Sequence, residues 1–267
     1  AEICGRAEGI CGGHAGSLHA TDCAEGIFGT GSGPAANLRV GKTTNDKDVS
    51  LGSGATSVTG AVEVYGANLT LNGTVTTTAT GGTGLLFKAK GDIVTGSGTS
   101  AARVGFKVTG ANSTAPITFW SNTDAANGGS IQVGNYTDIT TTGAAITLAG
   151  SAAAGDTTPT GYAEGSTSTY CAGLALGSSA VATDSVKISS AGGNILLRGK
   201  SSYDANGCAG LKAWSGINVN SGSGSITAEG LATGSTTSNY NRHGLDFHWT
   251  GSSTGSFSST WTSAKAS

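Results

Sequence analysis

The five cysteines carry the clearest chemistry in this sequence of 267 residues. Thiols form disulfides, stay free or bind metal ions, and an odd number leaves one thiol without a partner inside a single chain. The polar, Ser/Thr-rich composition suits secreted material, and disulfides persist in oxidising compartments. We therefore predict disulfide or inter-subunit thiols. They are Cys4, Cys11, Cys23, Cys171 and Cys208.

Two of these cysteines have matching contexts. Cys171 and Cys208 are each followed by Ala-Gly-Leu. If both segments lie on stacked β-strands, their Cα atoms would be about 4.8 Å apart, a separation that permits a disulfide. Cys23-Ala-Glu-Gly-Ile resembles the same phrase more loosely. The N-terminal segment is therefore either coiled like the rest of the chain or an arm.

The N-terminal cysteines also suggest metal binding. Cys11, His14, His19 and Cys23 are suitable ligand types, and Cys4 lies nearby in the sequence. Their spacing does not match the usual zinc patterns. We predict neither a metal site nor a cofactor site.

Cleavage of a polysaccharide needs acids and bases clustered around one bond. The aspartates are instead spread along the chain, mostly in loops, where aspartate is an ordinary turn residue. Asp246 and His248 would share one face of a strand, which a solvated face explains as well. We predict no catalytic residue and no enzyme activity. The dispersed aspartates are Asp92, Asp124, Asp138, Asp156, Asp184, Asp204 and Asp246.

The tryptophans allow two interpretations. They are either platforms on which sugars stack or anchors in a core or an interface, and the second is more usual. They are Trp120, Trp214, Trp249 and Trp261.

The composition limits the fold and the partners. Glycine and proline together make about 18% of the chain, below the content of disordered low-complexity sequences. Hydrophobic residues make 37% and aromatic residues 6%, which can fill only a narrow core. A net charge of -2 argues against binding nucleic acid. The chain has no apolar run of the roughly 18 residues that a membrane-spanning helix needs.

A repeated phrase organises the chain from about Asn68 onward. A short alternating apolar run leads through a polar loop to Gly-Leu or Gly-Phe and a second run, as from Ile195 to Leu211. Alternation predicts strands with one buried face, and Gly, Ser, Asn and Asp mark the turns. The steps between copies are 24, 24, 29, 49 and 31 residues, from Leu69 through Ile93, Ile117, Ile146 and Ile195 to Ile226. We interpret the 49-residue step as two coils.

Short strands that recur at this period predict an all-β fold, a right-handed parallel β-helix in which each strand pairs with its counterparts in neighbouring coils. The alternative is an antiparallel β-sandwich, which does not repeat a phrase. Residues 45–267 are predicted to form the β-helix. Residues 1–44 are a Cys-rich N-terminal segment, serving as a cap, an arm or irregular first coils.

The phrase Ile-Thr-Leu-x-Gly, a polar loop, Gly-Leu-x-Leu and then Gly-Ser-Ile-Thr resembles the repeats of filamentous-haemagglutinin-like proteins and autotransporter passengers, which are secreted bacterial adhesins. The resemblance covers about Val62 to Trp249. It implies a right-handed parallel β-helix and a role in adhesion, matrix or surface filaments, and it brings no catalytic motif. The chain departs from these repeats in its cysteines and in its short length, which favours an assembling subunit.

We therefore predict a secreted, extracellular structural or adhesive module that stacks end to end into a filament, with the Cys-rich segment at the junction. Its partners would be copies of itself and a cell-surface or carbohydrate receptor, with no nucleic acid and no membrane span. The alternatives are a carbohydrate-active β-helix enzyme, either a polysaccharide lyase or a hydrolase, and a monomeric adhesin passenger domain.

Overall fold

The fold is a stack of parallel coils. The structure, a computed structural model, describes residues 37–126, 128–178, 185–203, 208–214, 216–233 and 243–248, together with the backbone of 18–20 and 260–262. All regular elements in these residues are β-strands, and they form three sheets.

Sheet 1 has nine strands and forms one side of the stack. They are β1 (Leu18–Ala20), β2 (Leu38–Val40), β5 (Val62–Gly66), β8 (Leu85–Ala89), β11 (Ile117–Ser121), β14 (Ile146–Gly150), β15 (Ala163–Gly165), β18 (Ile195–Ser201) and β21 (Ile226–Ala232).

Sheets 2 and 3 have seven strands each and form the other two sides. Sheet 2 contains β3 (Val49–Leu51), β6 (Leu69–Leu71), β9 (Ile93–Thr95), β12 (Ile131–Val133), β16 (Leu174–Leu176), β19 (Ala209–Trp214) and β22 (His243–His248). Sheet 3 contains β4 (Ala55–Val58), β7 (Thr74–Thr77), β10 (Val104–Val108), β13 (Thr137–Thr140), β17 (Val186–Ser189), β20 (Ile217–Asn220) and β23 (Thr260–Thr262).

The chain visits sheets 1, 2 and 3 in turn, and each such circuit is one coil. Coil 1 is β2–β4, and the following circuits run to coil 7, which is β21–β23. Every strand pair is parallel, as between Ile195–Ser201 and Ile226–Ala232. This confirms the predicted parallel β-helix and excludes the antiparallel sandwich for the described residues. The right-handed sense, which about 98% of parallel crossovers take, stays a prediction.

The repeat predicted some registers correctly and others wrongly. Leu69 pairs with Ile93, Ile117 with Ile146, and Ile195 with Ile226, as expected. The step from Ile93 to Ile117 was wrong, because Ile93 pairs with Ile131 in sheet 2 whereas Ile117 lies in sheet 1. Similar alternating runs occur on all three sides, so similarity of phrase does not identify the sheet.

The 49-residue step was also misinterpreted. Ile146 pairs directly with Ile195, so the step is one coil and not two. Its extra residues leave the stack between β14 and β16, and β15 returns to pair with the second half of β18. An insertion that projects outward leaves the stacking of the flanking strands intact, which makes it hard to count from the sequence.

The interior is a narrow column of alternating side chains. In β18 the inward residues are buried and the outward ones are partly exposed, residue by residue. Phe87, Phe106 and Phe119 fill the middle of the column, with ring centroids 4.9–5.3 Å apart. Stacking these rows buries apolar surface from every coil against its neighbours, which is the main stabilising term.

A polar ladder closes the corner between sheets 1 and 2. Asp48, Asn68, Asp92 and Ser130 each immediately precede a strand of sheet 2 in successive coils. The Asn68 amide donates to Asp48 Oδ1 at 2.9 Å, and the backbone N–H of Asp92 donates to Asn68 Oδ1 at 2.8 Å. The first bond joins the side chains of adjacent coils, and the second satisfies a backbone N–H group at the turn. The Asp and Asn residues that precede these strands therefore stabilise the turn.

Glycine is required where a turn approaches the next coil. Gly84 precedes β8 and has a φ of +65°, in the left-handed region that L side chains disfavour. A Cβ added there would lie 2.1 Å from the carbonyl oxygen of Pro116. No other residue fits without a backbone shift.

The paired strands extend into the predicted N-terminal segment. β2 lies before residue 45 and pairs with β5, and β1 pairs with β2. Most of residues 1–44 lie outside the described residues, so the division at residue 45 stays a prediction.

Candidate functional site: the loop-bearing corner and the last coil

A disulfide links two coils at the corner between sheets 1 and 2. Cys171 and Cys208 precede β16 and β19, and their Cα atoms are 5.3 Å apart. This is the pair that the shared Cys-Ala-Gly-Leu phrase indicated, and the pairing of Leu174 with Leu211 places the two segments in register. Cys4, Cys11 and Cys23 lie outside the described residues.

The residues that were considered as metal ligands lie in the N-terminal segment. Cys11, His14 and Cys23 lie outside the described residues, and only the backbone of His19 is described. Among the residues that the structure describes, no group of three His, Cys, Asp or Glu side chains could hold a metal ion.

Several aspartates that could have served catalysis are held in structural contacts. Asp138 accepts a hydrogen bond from Arg103 Nε at 2.6 Å and lies 3.7 Å from Lys107 Nζ. Asp246 lies 3.7 Å from Lys212 Nζ. Asp184, Asp204 and the side chain of His248 fall outside the described residues.

Residues 151–162 form a compact loop that projects from coil 5. Its ends meet where Gly150 and Gly161 exchange backbone hydrogen bonds. Asp156 Oδ2 accepts hydrogen bonds from the backbone N–H groups of Ala152 and Ala153, at 2.8 and 3.1 Å. These two donors hold the pKa of Asp156 below its ordinary value. The loop is therefore ordered from within by one carboxylate.

The same loop is tied to the next two coils. Arg198 of coil 6 donates to the carbonyl oxygen of Thr160 at 2.8 Å and to Glu229 Oε1 of coil 7 at 3.2 Å. The Tyr162 hydroxyl donates to Glu229 Oε2 at 3.1 Å. The Arg198 hydrogen bond lowers the pKa of Glu229, and burial raises the pKa of Tyr162. The projecting loop thus keeps a defined position on the outer face of sheet 1.

Acid is expected to release this loop. Because the pKa of Asp156 is lowered in the folded state, its contribution is complete above the ordinary carboxyl range and is lost as pH falls through the depressed pKa, below about pH 4. Hydrogen exchange corrected for intrinsic rates should show weaker protection of Ala152 and Ala153 at low pH, and in Asp156→Ala at neutral pH. The matched control is Asp124→Ala, since Asp124 accepts a bond from Ala126 in a different turn. Unchanged protection in Asp156→Ala would contradict this account.

Trp120 anchors the outer face and is no sugar platform. It points outward from β11 yet is only 4% exposed. Its Nε1 donates to Ser151 Oγ at 2.8 Å, and Lys88 Nζ lies 3.7 Å from the ring centroid. Burial lowers the pKa of Lys88. Sequence reasoning missed this contact, because Lys88 and Trp120 become neighbours only through the register of β8 and β11.

Among the other three tryptophans, the structure describes the side chain of Trp214. Trp214 is half-buried, and Lys212 Nζ lies 4.7 Å from its ring centroid. The side chains of Trp249 and Trp261 lie outside the described residues.

An open groove lies near the N-terminal end of the described stack. It has a volume of about 700 Å³ and runs along the turns between sheets 3 and 1 in coils 1 to 3. Arg39 and Glu63 lie along it and form an ion pair with each other. Thr59, Thr80 and Thr83 are also among the lining residues, and no aromatic ring is.

The last described coil exposes side chains that point toward the interior. Leu245 and Phe247 are 42% and 47% exposed, although their register partners Leu211 and Ala213 in coil 6 are fully buried. Val49 and Leu51 of coil 1 are only 2% and 6% exposed, and β1 pairs with β2 on the far side of that coil. Among the described residues, the exposed apolar side chains that point inward therefore lie in coil 7.

Comparison with protein-family models, with curated proteins and with solved structures gave no match. The described residues contain no helix with the length and apolar character that a membrane crossing requires.

Proposed function

We propose that this chain is a structural and adhesive module of an extracellular surface fibre, in which copies associate end to end. The observation that carries the proposal is the exposure of Leu245 and Phe247 in the last described coil, whereas the inward apolar side chains described in coils 1 to 6 are buried. Apolar surface of this kind, continuous with a core, is typical of a surface that another chain covers.

The fold suits a rod-like spacer. Coils about 4.8 Å apart give seven coils a length on the order of 30 Å, and the strands of each coil pair with those of adjacent coils. The Cys171–Cys208 disulfide adds a covalent link between coils 5 and 6. A disulfide is consistent with an oxidising compartment, which supports secretion to the cell surface.

We assign adhesion to the loop of residues 151–162 and to the outer face of sheet 1 on which it lies. The loop of residues 151–162 projects from the rod, and it is held by Asp156 from within and by Arg198 from the next coil. Ordered loops on a rigid scaffold are common binding elements. The receptor is proposed to be a cell-surface component or a carbohydrate.

Electron microscopy of the complete 267-residue chain tests the fibre. Under oxidising conditions we expect rods joined end to end, with lengths that grow as the concentration rises, because association between copies follows mass action. A parallel sample with reductant separates thiol-linked junctions from non-covalent ones. Short particles of one size at every concentration would refute the fibre and favour a monomeric passenger domain. Release of reducing ends from a polysaccharide panel would refute the non-enzymatic assignment.

A further inference from the structure

Cations lie over aromatic rings on the surface of the stack. In the described part of the chain, five Lys or Arg side chains have their charged group 3.7–5.9 Å from a ring centroid, the range of cation–π contacts. They are Arg39 over Tyr65, Lys88 over Trp120, Arg103 over Tyr136, Arg198 over Tyr162 and Lys212 over Trp214. The ring restricts the position of each charged group.

Four of these five cations also bind a carboxylate. The ion pairs are Arg39–Glu63, Arg103–Asp138, Arg198–Glu229 and Lys212–Asp246. A charge that is partly removed from water costs less free energy when an opposite charge lies beside it. The usual cluster on this surface therefore has three members, which are a ring, a cation and a carboxylate.

Lys88 has the ring without the carboxylate. Its Nζ lies 3.7 Å from the Trp120 ring centroid, yet it forms no ion pair with any residue that the structure describes. The register gives the reason, because Lys88 lies between Tyr65 of coil 2 and Trp120 of coil 4, and neither neighbour is an acid. Burial lowers the pKa of Lys88, as expected for an ammonium group without an anion beside it.

A second lysine shows where the missing carboxylate belongs. Lys107 Nζ lies 3.7 Å from Asp138, which stands two residues before the register partner of Lys107 in the next coil. Thr118 stands in the same relation to Lys88. Because Thr118 is short, neutral and partly exposed, a carboxylate from another molecule can approach Lys88 at this position.

We propose that Lys88 binds a carboxylate of an acidic polysaccharide, a uronate, on the outer face of sheet 1. The inference rests on the proposed function, which assigns adhesion to this face. Trp120 holds the ammonium group in place, because the ring is only 4% exposed and its Nε1 donates to Ser151. The adjacent hydroxyl groups of Thr118 and Thr147 in coils 4 and 5 give the sugar further hydrogen-bonding partners.

Surface plasmon resonance on immobilised polygalacturonate tests the site with the complete chain at low salt, where charges are least screened. Lys88→Met should weaken binding about 10-fold, the loss of one charge-assisted hydrogen bond. Lys88→Arg keeps the charge and should retain binding. The matched control Lys187→Met removes a charge from an exposed lysine of sheet 3 and should leave the affinity unchanged. Equal losses in the two methionine variants would overturn the inference.

A carboxylate added to the chain should compete with the ligand. Thr118→Glu places an acid within reach of Lys88 and should weaken binding as Lys88→Met does, whereas Thr118→Gln should not. Ser57→Glu adds the same charge at an exposed position of sheet 3 and controls for general repulsion of the polymer. Equal effects of Thr118→Glu and Ser57→Glu would contradict the site.

The choice of polymer identifies the bound group. Methyl esterification of the polygalacturonate neutralises its carboxylates and should abolish the binding that depends on Lys88. Tighter, Lys88-dependent binding to poly-L-glutamate would overturn the polysaccharide as the occupant. Binding to a glycan panel that is unaffected by Lys88→Met would overturn the inference while leaving adhesion intact. Absence of binding to every glycan would refute both the inference and carbohydrate adhesion.

Discussion

Replacing Phe119 by alanine is expected to lower the free energy of unfolding by about 3–5 kcal/mol. Phe119 is fully buried, and its ring lies 4.9 Å from that of Phe87 and 5.1 Å from that of Phe106. Truncation removes apolar burial and leaves a cavity that rigid neighbouring coils cannot collapse to fill. The interior is narrow, so few other side chains reach the site.

Urea unfolding and hydrogen exchange check this expectation. Phe119→Leu should cost less, because it keeps most of the volume, and Thr118→Ala on the outer face should have little effect. Since Phe119 lies in coil 4 and packs on Phe87 and Phe106 of coil 3, protection should fall most in these two coils. A loss below about 1 kcal/mol for Phe119→Ala, or a loss spread evenly over all coils, would contradict this description of the core.

Removing the disulfide should have an effect of similar size. Replacing both Cys171 and Cys208 by alanine is expected to lower the free energy of unfolding by about 3–4 kcal/mol, from the entropy of the 37-residue separation that the bridge closes. Alanine is chosen because Cys208 is 2% exposed, and a serine hydroxyl there would need a hydrogen-bond partner.

The control keeps the bridge and removes the other thiols. A chain with Cys4, Cys11 and Cys23 replaced by serine should unfold as the native monomer does if these residues serve only contacts between chains. Peptide mapping without reductant should recover Cys171 joined to Cys208. Recovery of either cysteine joined to one of the other three would refute the connectivity.

Much of the fold could be predicted because parallel coils leave a local signature. Runs such as Ile217-Asn-Val219 alternate with the period of a strand, and Gly, Asn and Asp mark where the chain turns. The matched phrases around Cys171 and Cys208 indicated two positions in register, and the disulfide joins them. Local pattern therefore sufficed for element type and for several coil-to-coil pairs.

The sequence pattern did not identify the sheet of a strand where two sides of the β-helix carry similar apolar runs. Ile93 and Ile117 begin similar runs, yet they lie on different sheets. The step from Ile146 to Ile195 resembled two coils because its 49 residues match about two repeats of 24 residues. In both places the sheet is determined by the path of the intervening loop, and loop length carries little information about that path.

The sequence by itself determined the strand period, the turns and the narrow core, because these depend on residue type and spacing within a few positions. Only the tertiary structure decided that Trp120 meets Lys88 and Ser151, that Arg198 ties the loop to coil 7, and that Leu245 is exposed in the last described coil. Those contacts join residues 31 or more positions apart, or depend on the place of a strand in the stack. They arise from register between coils, a property that no single segment possesses.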